Sequence, residues 1–190
     1  MTVTVYCASS TQIAASYFEA AATLGRLLGE QQIQVVNGAG NIGLMKAVSD
    51  AALQAGGQVT GVIPHFMIEK GWCHTGLTQL IEVPDMHTRK QTMASLSDAA
   101  IALPGGYGTF EELLEIITWR QLGLYSKPVV ILNLQHYYDP LLAMFQKAQE
   151  EHFMRPVTTP LWEVAETPEE AVQLITNNRC RPSVPECDRV

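Results

Sequence analysis

The feature that most restricts this 190-residue chain is the order of its hydrophobic patterns: short β-branched and apolar runs alternate with longer stretches of helical periodicity. Strands are predicted over residues 3–7, 33–37, 58–63, 80–83, 99–103 and 129–132. Helices are predicted over 14–30, 44–55, 86–97, 110–122 and 141–152, with Asp139 as cap before Pro140, and a last helix is opened by Pro168. Neighbouring strands joined through a helix run parallel, because only a long crossover returns the chain to the same end of the sheet. The predicted fold is therefore α/β: a Rossmann-like, doubly wound, mainly parallel sheet with helices on both faces in one domain, residues 1–176. A non-periodic tail with two prolines, residues 177–190, is expected to be flexible. Ligands of such sheets bind at the carboxyl ends of the strands.

Charge and composition remove several classes of partner. A formal charge of −7 repels polyanions, so nucleic acid is not an expected partner, whereas a small anion could still be held locally. No apolar run is long enough for a membrane span and the N-terminal residues read as a strand, so a cytoplasmic protein with no membrane partner is expected. Cys7, Cys73, Cys180 and Cys187 lack C-x-x-C spacing, and the five histidines form no ligand motif, so no metal site is expected.

Two glycine-rich turns fall at predicted strand ends. Gly38-Ala39-Gly40-Asn41-Ile42-Gly43 matches G-x-G-x-x-G, but the following strand ends without the acid that a dinucleotide ribose requires. A phosphate site at a helix N-terminus and a purely structural turn remain equal readings for it. The second, Pro104-Gly105-Gly106-Tyr107-Gly108-Thr109, offers successive N–H groups and a hydroxyl to an anion ahead of the next helix. Thr109 and Glu112 have the spacing of a capping box, and Glu111 and Glu115 read as solvated helix positions.

Between these turns lies Asp85-Met86-His87-Thr88-Arg89-Lys90, which puts two cations at the start of a predicted helix. Cations there oppose the helix dipole by about 0.3–1 kcal/mol. An anionic partner would account for them, Arg89 as a planar fork and Lys90 as a point charge, and solvation of both is the alternative.

The motifs M-H-x-R-K and P-G-G-x-G-T-x-x-E, here Met86 to Lys90 and Pro104 to Glu112, together resemble the Lonely Guy (LOG) family. The resemblance includes Gly43-Leu44-Met45 and Thr118-Trp119-Arg120-Gln121-Leu122-Gly123, and weakens beyond residue 152. It implies a Rossmann-like fold, a homodimer, no cofactor, and hydrolysis of the N-glycosidic bond of purine nucleoside 5′-monophosphates, cytokinin-type or AMP. The products would be free base and ribose 5-phosphate. On this resemblance Arg89 and Glu112 are the catalytic pair, and Gly105, Gly106, Gly108 and Thr109 form the phosphate loop. Ser9, Gly40, Gly43, Met86 and Lys90 complete the substrate-binding set.

Glycosidic cleavage builds positive charge at C1′, so a carboxylate beside the sugar can stabilise the transition state and activate water. Glu112 is the candidate, with a capping role as its alternative. A nucleotide-binding or carrier protein without turnover would need the glycine turns and neither Arg89 nor Glu112. A pyridoxal-phosphate lysine decarboxylase would need a Schiff-base lysine, for which Lys90 and Lys127 stand in no recognisable motif.

Overall fold

The computed structural model describes residues 1–154 and 159–177. It contains one seven-stranded sheet: β1 (Thr2–Tyr6), β2 (Gln34–Asn37), β3 (Val59–Pro64), β4 (Gln79–Val83), β5 (Ala99–Ala102), β6 (Val129–Leu132) and β7 (Glu163–Ala165). The spatial order is β4-β3-β2-β1-β5-β6-β7 and every pairing is parallel. The helices are α1 (Ala15–Glu30), α2 (Gly43–Gln54), α3 (His65–Glu69), α4 (Met86–Leu96), α5 (Tyr107–Gln121), α6 (Asp139–Glu150) and α7 (Pro168–Asn177). The remainder of the predicted tail, with Cys180 and Cys187, lies outside the described residues.

The period-2 alternation of the strands builds two cores. Val3, Val5, Val35, Ile101 and Val130 point to one face, where Leu24, Leu28, Val48, Ala52 and Val172 of α1, α2 and α7 cover them. Tyr6, Val36, Val62, Ala100 and Ile131 point to the other, under Met93, Leu113, Ile116 and Phe145 of α4, α5 and α6. Helices on both faces of a parallel sheet make this a doubly wound Rossmann-like fold. Strand order reverses at β1, between β2 and β5, so the crevice of such a sheet opens above the ends of β1 and β5.

Two local expectations are corrected, and three short elements are added. Asp139 is not the cap of α6: Tyr138 holds that position, its N–H donating to Asn133 Oδ1 at 2.7 Å, and Asp139 lies in the first turn. The 3-residue β7, the 5-residue α3 and a 3₁₀ turn at Leu134–His136 were not predicted, each being too short to show a period. The helix predicted from residue 110 begins at Tyr107, which removes the capping box: Gly106 is the cap residue, and Thr109 lies inside the helix.

Candidate active site

Above the ends of β1 and β5 lies a cavity of about 380 Å³ bordered by the loop after β1, by Gly38, by Arg89 of α4 and by the start of α5. Its chemistry is set by one buried ion pair. Arg89 stands in the first turns of α4, whose N-terminus is capped by Asp85, the carboxylate accepting from the Thr88 N–H at 2.8 Å. The Arg89 guanidinium donates from Nε to the Val62 carbonyl at 3.1 Å and from Nη1 to Glu112 Oε1 at 3.1 Å. Arg89 is 6% exposed and Glu112 8%.

Burial pushes the Glu112 carboxyl up to about 7, against the opposing pull of Arg89. A carboxyl poised there exchanges a proton near neutrality, the range a general acid or base requires. Cys7, also at the cavity, is kept a neutral thiol by burial and then by the nearby Glu112 charge, so it is no nucleophile at neutral pH.

The two glycine turns differ in what faces their helix. At α2 the N–H groups of Leu44 and Met45 donate to the Ala8 carbonyl at 2.9 and 3.4 Å, so the loop after β1 already occupies that N-terminus. Gly43, at φ +67°, leaves room for that loop: a side chain there would sit 2.5 Å from the Ser9 backbone. The structural reading of this turn is the one the contacts favour. At α5 the Phe110 N–H returns to the Gly106 carbonyl at 2.9 Å, while the N–H groups of Tyr107, Gly108 and Thr109 face no acceptor among the described residues. These are orphan donors at the positive end of a 15-residue helix, bordering the cavity.

Of the predicted site residues, Ser9, Arg89, Gly106, Gly108, Thr109 and Glu112 meet at the cavity. Gly105 lies directly beneath, its Cα covered by the Thr109 side chain. Gly40, Gly43, Met86 and Lys90 do not line it. Lys90, 4% exposed, donates to Glu111 at 2.6 Å and Glu115 at 3.2 Å, so Glu111, exposed as read from the sequence, and the half-buried Glu115 are also partners of a buried ammonium. Burial opposes the charge on Lys90, but the two carboxylates outweigh it and hold the ammonium above its usual range. Both cations of the basic pair thus find their anions within the chain, on α5.

Also at the cavity are Gly38 and Tyr107, from the two glycine turns read in the sequence, together with Met45 and Met67. Met67 belongs to the unpredicted α3 and carries no sequence signal. Gly38 has a steric one: an added Cβ would lie 1.6 Å from Arg89 Nη2, so only glycine admits the guanidinium.

No lysine lines the cavity. Lys90 is committed to α5, and Lys127 donates to the carbonyls of Ala94, Ser95 and Ser97. The residues present therefore do not fit a pyridoxal Schiff base, which needs a lysine at the ligand. Among the described residues no group of His, Cys, Asp and Glu could hold a metal ion, and no helix is long and apolar enough to cross a membrane.

Comparison with known proteins places these features in a family. A family model described as "Possible lysine decarboxylase" matches residues 45–175. A cytokinin riboside 5′-monophosphate phosphoribohydrolase of Arabidopsis thaliana is 45% identical over 171 residues, covering 90% of this chain and 80% of that one. A rice protein, from Oryza sativa subsp. japonica, bearing the same activity name with the qualifier "probable" is 46% identical over 171 residues, 90% of this chain and 70% of its own. Among solved structures, the molybdenum cofactor carrier protein of Chlamydomonas reinhardtii superposes with a TM-score of 0.73 at 20% identity, over 95% of this chain and 98% of that one. That likeness concerns the fold alone. Sequence identity of this extent over most of both chains carries more: the chain belongs to the Lonely Guy family of cytokinin riboside 5′-monophosphate phosphoribohydrolases, and it is a hydrolase.

Proposed function

We propose that the chain hydrolyses purine nucleoside 5′-monophosphates, AMP and its cytokinin-type derivatives, at the bond between base and ribose. Water and nucleotide give free base and ribose 5-phosphate. The observation that carries the assignment of roles is the buried Arg89–Glu112 pair standing beside the open N-terminus of α5. In this reading the 5′-phosphate accepts from the N–H groups of Gly108 and Thr109 and from the Thr109 hydroxyl, and its binding energy holds the ribose over Glu112.

As the bond to the base lengthens, charge grows at C1′. The Glu112 carboxylate stabilises that charge and takes the proton of the attacking water. Arg89 keeps the carboxylate aimed and favours its ionised form. Met45 and Met67 give the cavity an adaptable apolar wall suited to a base with a hydrocarbon substituent.

The decisive experiment incubates the purified protein with AMP and, separately, isopentenyladenosine 5′-monophosphate, following free base by chromatography beside Glu112→Gln. Release by the wild type, reduced roughly a hundredfold or more in the variant, is expected. Binding of nucleotide without any release would leave a carrier of the same fold.

The reading extends to assembly and compartment. A homodimer is supported by the exposed Leu114, Leu122 and Leu124 on and after α5, an apolar surface that a second copy would cover. Sedimentation of the purified protein tests it. Cytoplasmic residence draws support from the free thiols of Cys7 and Cys73, which suit a reducing compartment, and cell fractionation tests that.

A further inference from the structure

Between β6 and α6 the chain runs Asn133-Leu134-Gln135-His136-Tyr137-Tyr138, and two successive non-glycine residues adopt the left-handed backbone, Gln135 at φ 52° and His136 at φ 60°. L-residues enter that region at a cost and rarely in succession. Here side chains hold it in place: Asn133 accepts from the Tyr138 N–H and donates to Asp139 Oδ1, each at 2.7 Å, and Gln135 donates to Ser16 Oγ at 2.6 Å.

The bend delivers two adjacent tyrosines to the loop after β5. Tyr138 donates its hydroxyl to the Leu103 carbonyl at 2.7 Å, and Tyr137 donates to the Gly105 carbonyl at 2.6 Å. The Tyr137 ring stacks on Phe110 of α5, 6.4 Å between centroids and 13° between planes, and meets Tyr17 and Tyr138 edge-on. Tyr137 is 38% exposed, so burial does not oblige its hydroxyl to seek a protein acceptor.

The acceptor it takes lies in the most pliable peptide of the loop, with glycine on either side. A trans peptide points its C=O and N–H in opposite directions. With the Gly105 carbonyl drawn to Tyr137, the Gly106 N–H is turned the other way, at a residue that borders the cavity. We propose that Tyr137 is a positioning residue: its hydroxyl locks the Gly105–Gly106 peptide so that the Gly106 N–H joins those of Gly108 and Thr109 in facing the 5′-phosphate of the substrate. The proposal rests on the hydrolase reading above for the identity of that phosphate.

Tyr137→Phe keeps the ring and its stacking and removes only the lock. Kinetics with AMP are measured for wild type and variant, together with calorimetric binding of ribose 5-phosphate and of adenine. The variant is expected to raise the AMP KM and the ribose 5-phosphate Kd by the same factor, about fivefold to tenfold, the size of one hydrogen bond. Most of its loss in kcat/KM should sit in KM, and adenine binding should stay as in the wild type. A general structural role would weaken adenine and ribose 5-phosphate together, and that result, or unchanged affinity for both, overturns the proposal. So does a wild type that fails to bind ribose 5-phosphate. A wild type that binds ribose 5-phosphate yet releases no base defeats the hydrolase reading instead, and the binding comparison still decides the role of Tyr137.

Discussion

Replacing Gly38 by alanine tests the active-site geometry with a single methyl group. The backbone there is outside the left-handed region, so alanine brings no conformational penalty, and by restricting the unfolded chain it would ordinarily stabilise by about 0.4–1 kcal/mol. Its Cβ, however, would lie 1.6 Å from Arg89 Nη2 and 2.7 Å from Cζ, and the guanidinium must retreat by about 2 Å to reach ordinary contact. It cannot do so freely, because Val62 O and Glu112 Oε1 hold it at 3.1 Å each. Losing two charge-assisted bonds within a buried pair costs about 3–5 kcal/mol, so the net destabilisation is about 2–4 kcal/mol. At about 2–4 °C per kcal/mol for a chain of this size, the Tm falls by roughly 5–15 °C. Base release from AMP should drop about a hundredfold, the expected consequence of moving a catalytic group by more than 1 Å. Differential scanning calorimetry and a chromatographic assay on the same preparation measure both. A Gly38→Ala protein with wild-type Tm and turnover would show that the guanidinium is not confined in this slot, and the proposed role of the pair would fall with it.

Gly108→Ala adds a methyl group where no atom lies within 4 Å, inside the first turn of α5; the Tm should rise by about 2–4 °C while the AMP KM increases several-fold, and unchanged KM would remove Gly108 from the phosphate site. Glu112→Gln should alter how stability depends on pH. Burial raises the folded-state carboxyl to about 7 from 4.5, so its stabilising contribution is complete below 4.5 and is lost as pH rises through 7, about 3 kcal/mol in all. Urea denaturation at pH 5 and pH 8 should therefore show the wild type losing about that much relative to the glutamine variant, and parallel pH profiles would contradict the assignment. Activity should follow the ionised form, rising with pH through about 7. Tyr138→Phe leaves the Leu103 carbonyl without its side-chain donor beneath a fully buried ring and should cost about 1–3 kcal/mol, read as a lower denaturation midpoint; an unchanged midpoint would show the bond contributes nothing.

What the sequence disclosed and what it hid divide along the range of the interactions. The β–α alternation is local, and it located six of the seven strands; β7, three residues long, exists because Val164 and its neighbours pair with β6, which no local pattern announces. Thr109 and Glu112 show the ambiguity most plainly. Their spacing satisfies a capping box, but the helix starts earlier, at Tyr107, with the Thr109 side chain packed over Gly105. Glu112 is thereby free to turn inward to Arg89, a residue 23 positions away on another helix. In the same way the solvated appearance of Glu111 and Glu115 concealed Lys90, which only the docking of α4 on α5 brings to them.

The two glycine turns show why motif and site are different things. Each follows a strand of the same sheet, and each opens a helix whose first amides need acceptors. At α2 the chain supplies one from within: the loop after β1 folds across and the Ala8 carbonyl satisfies Leu44 and Met45. At α5 the carbonyls of the preceding loop are held elsewhere, Gly105 toward Tyr137 and Leu103 toward Tyr138, and the amides of Tyr107, Gly108 and Thr109 meet no acceptor among the described residues. On the proposed reading, an anion site is made as much by where neighbouring carbonyls are held away as by where N–H groups converge. That is a property of packing between loops far apart in sequence, and the fingerprint G-x-G-x-x-G, present only at the closed turn, gives no sign of it.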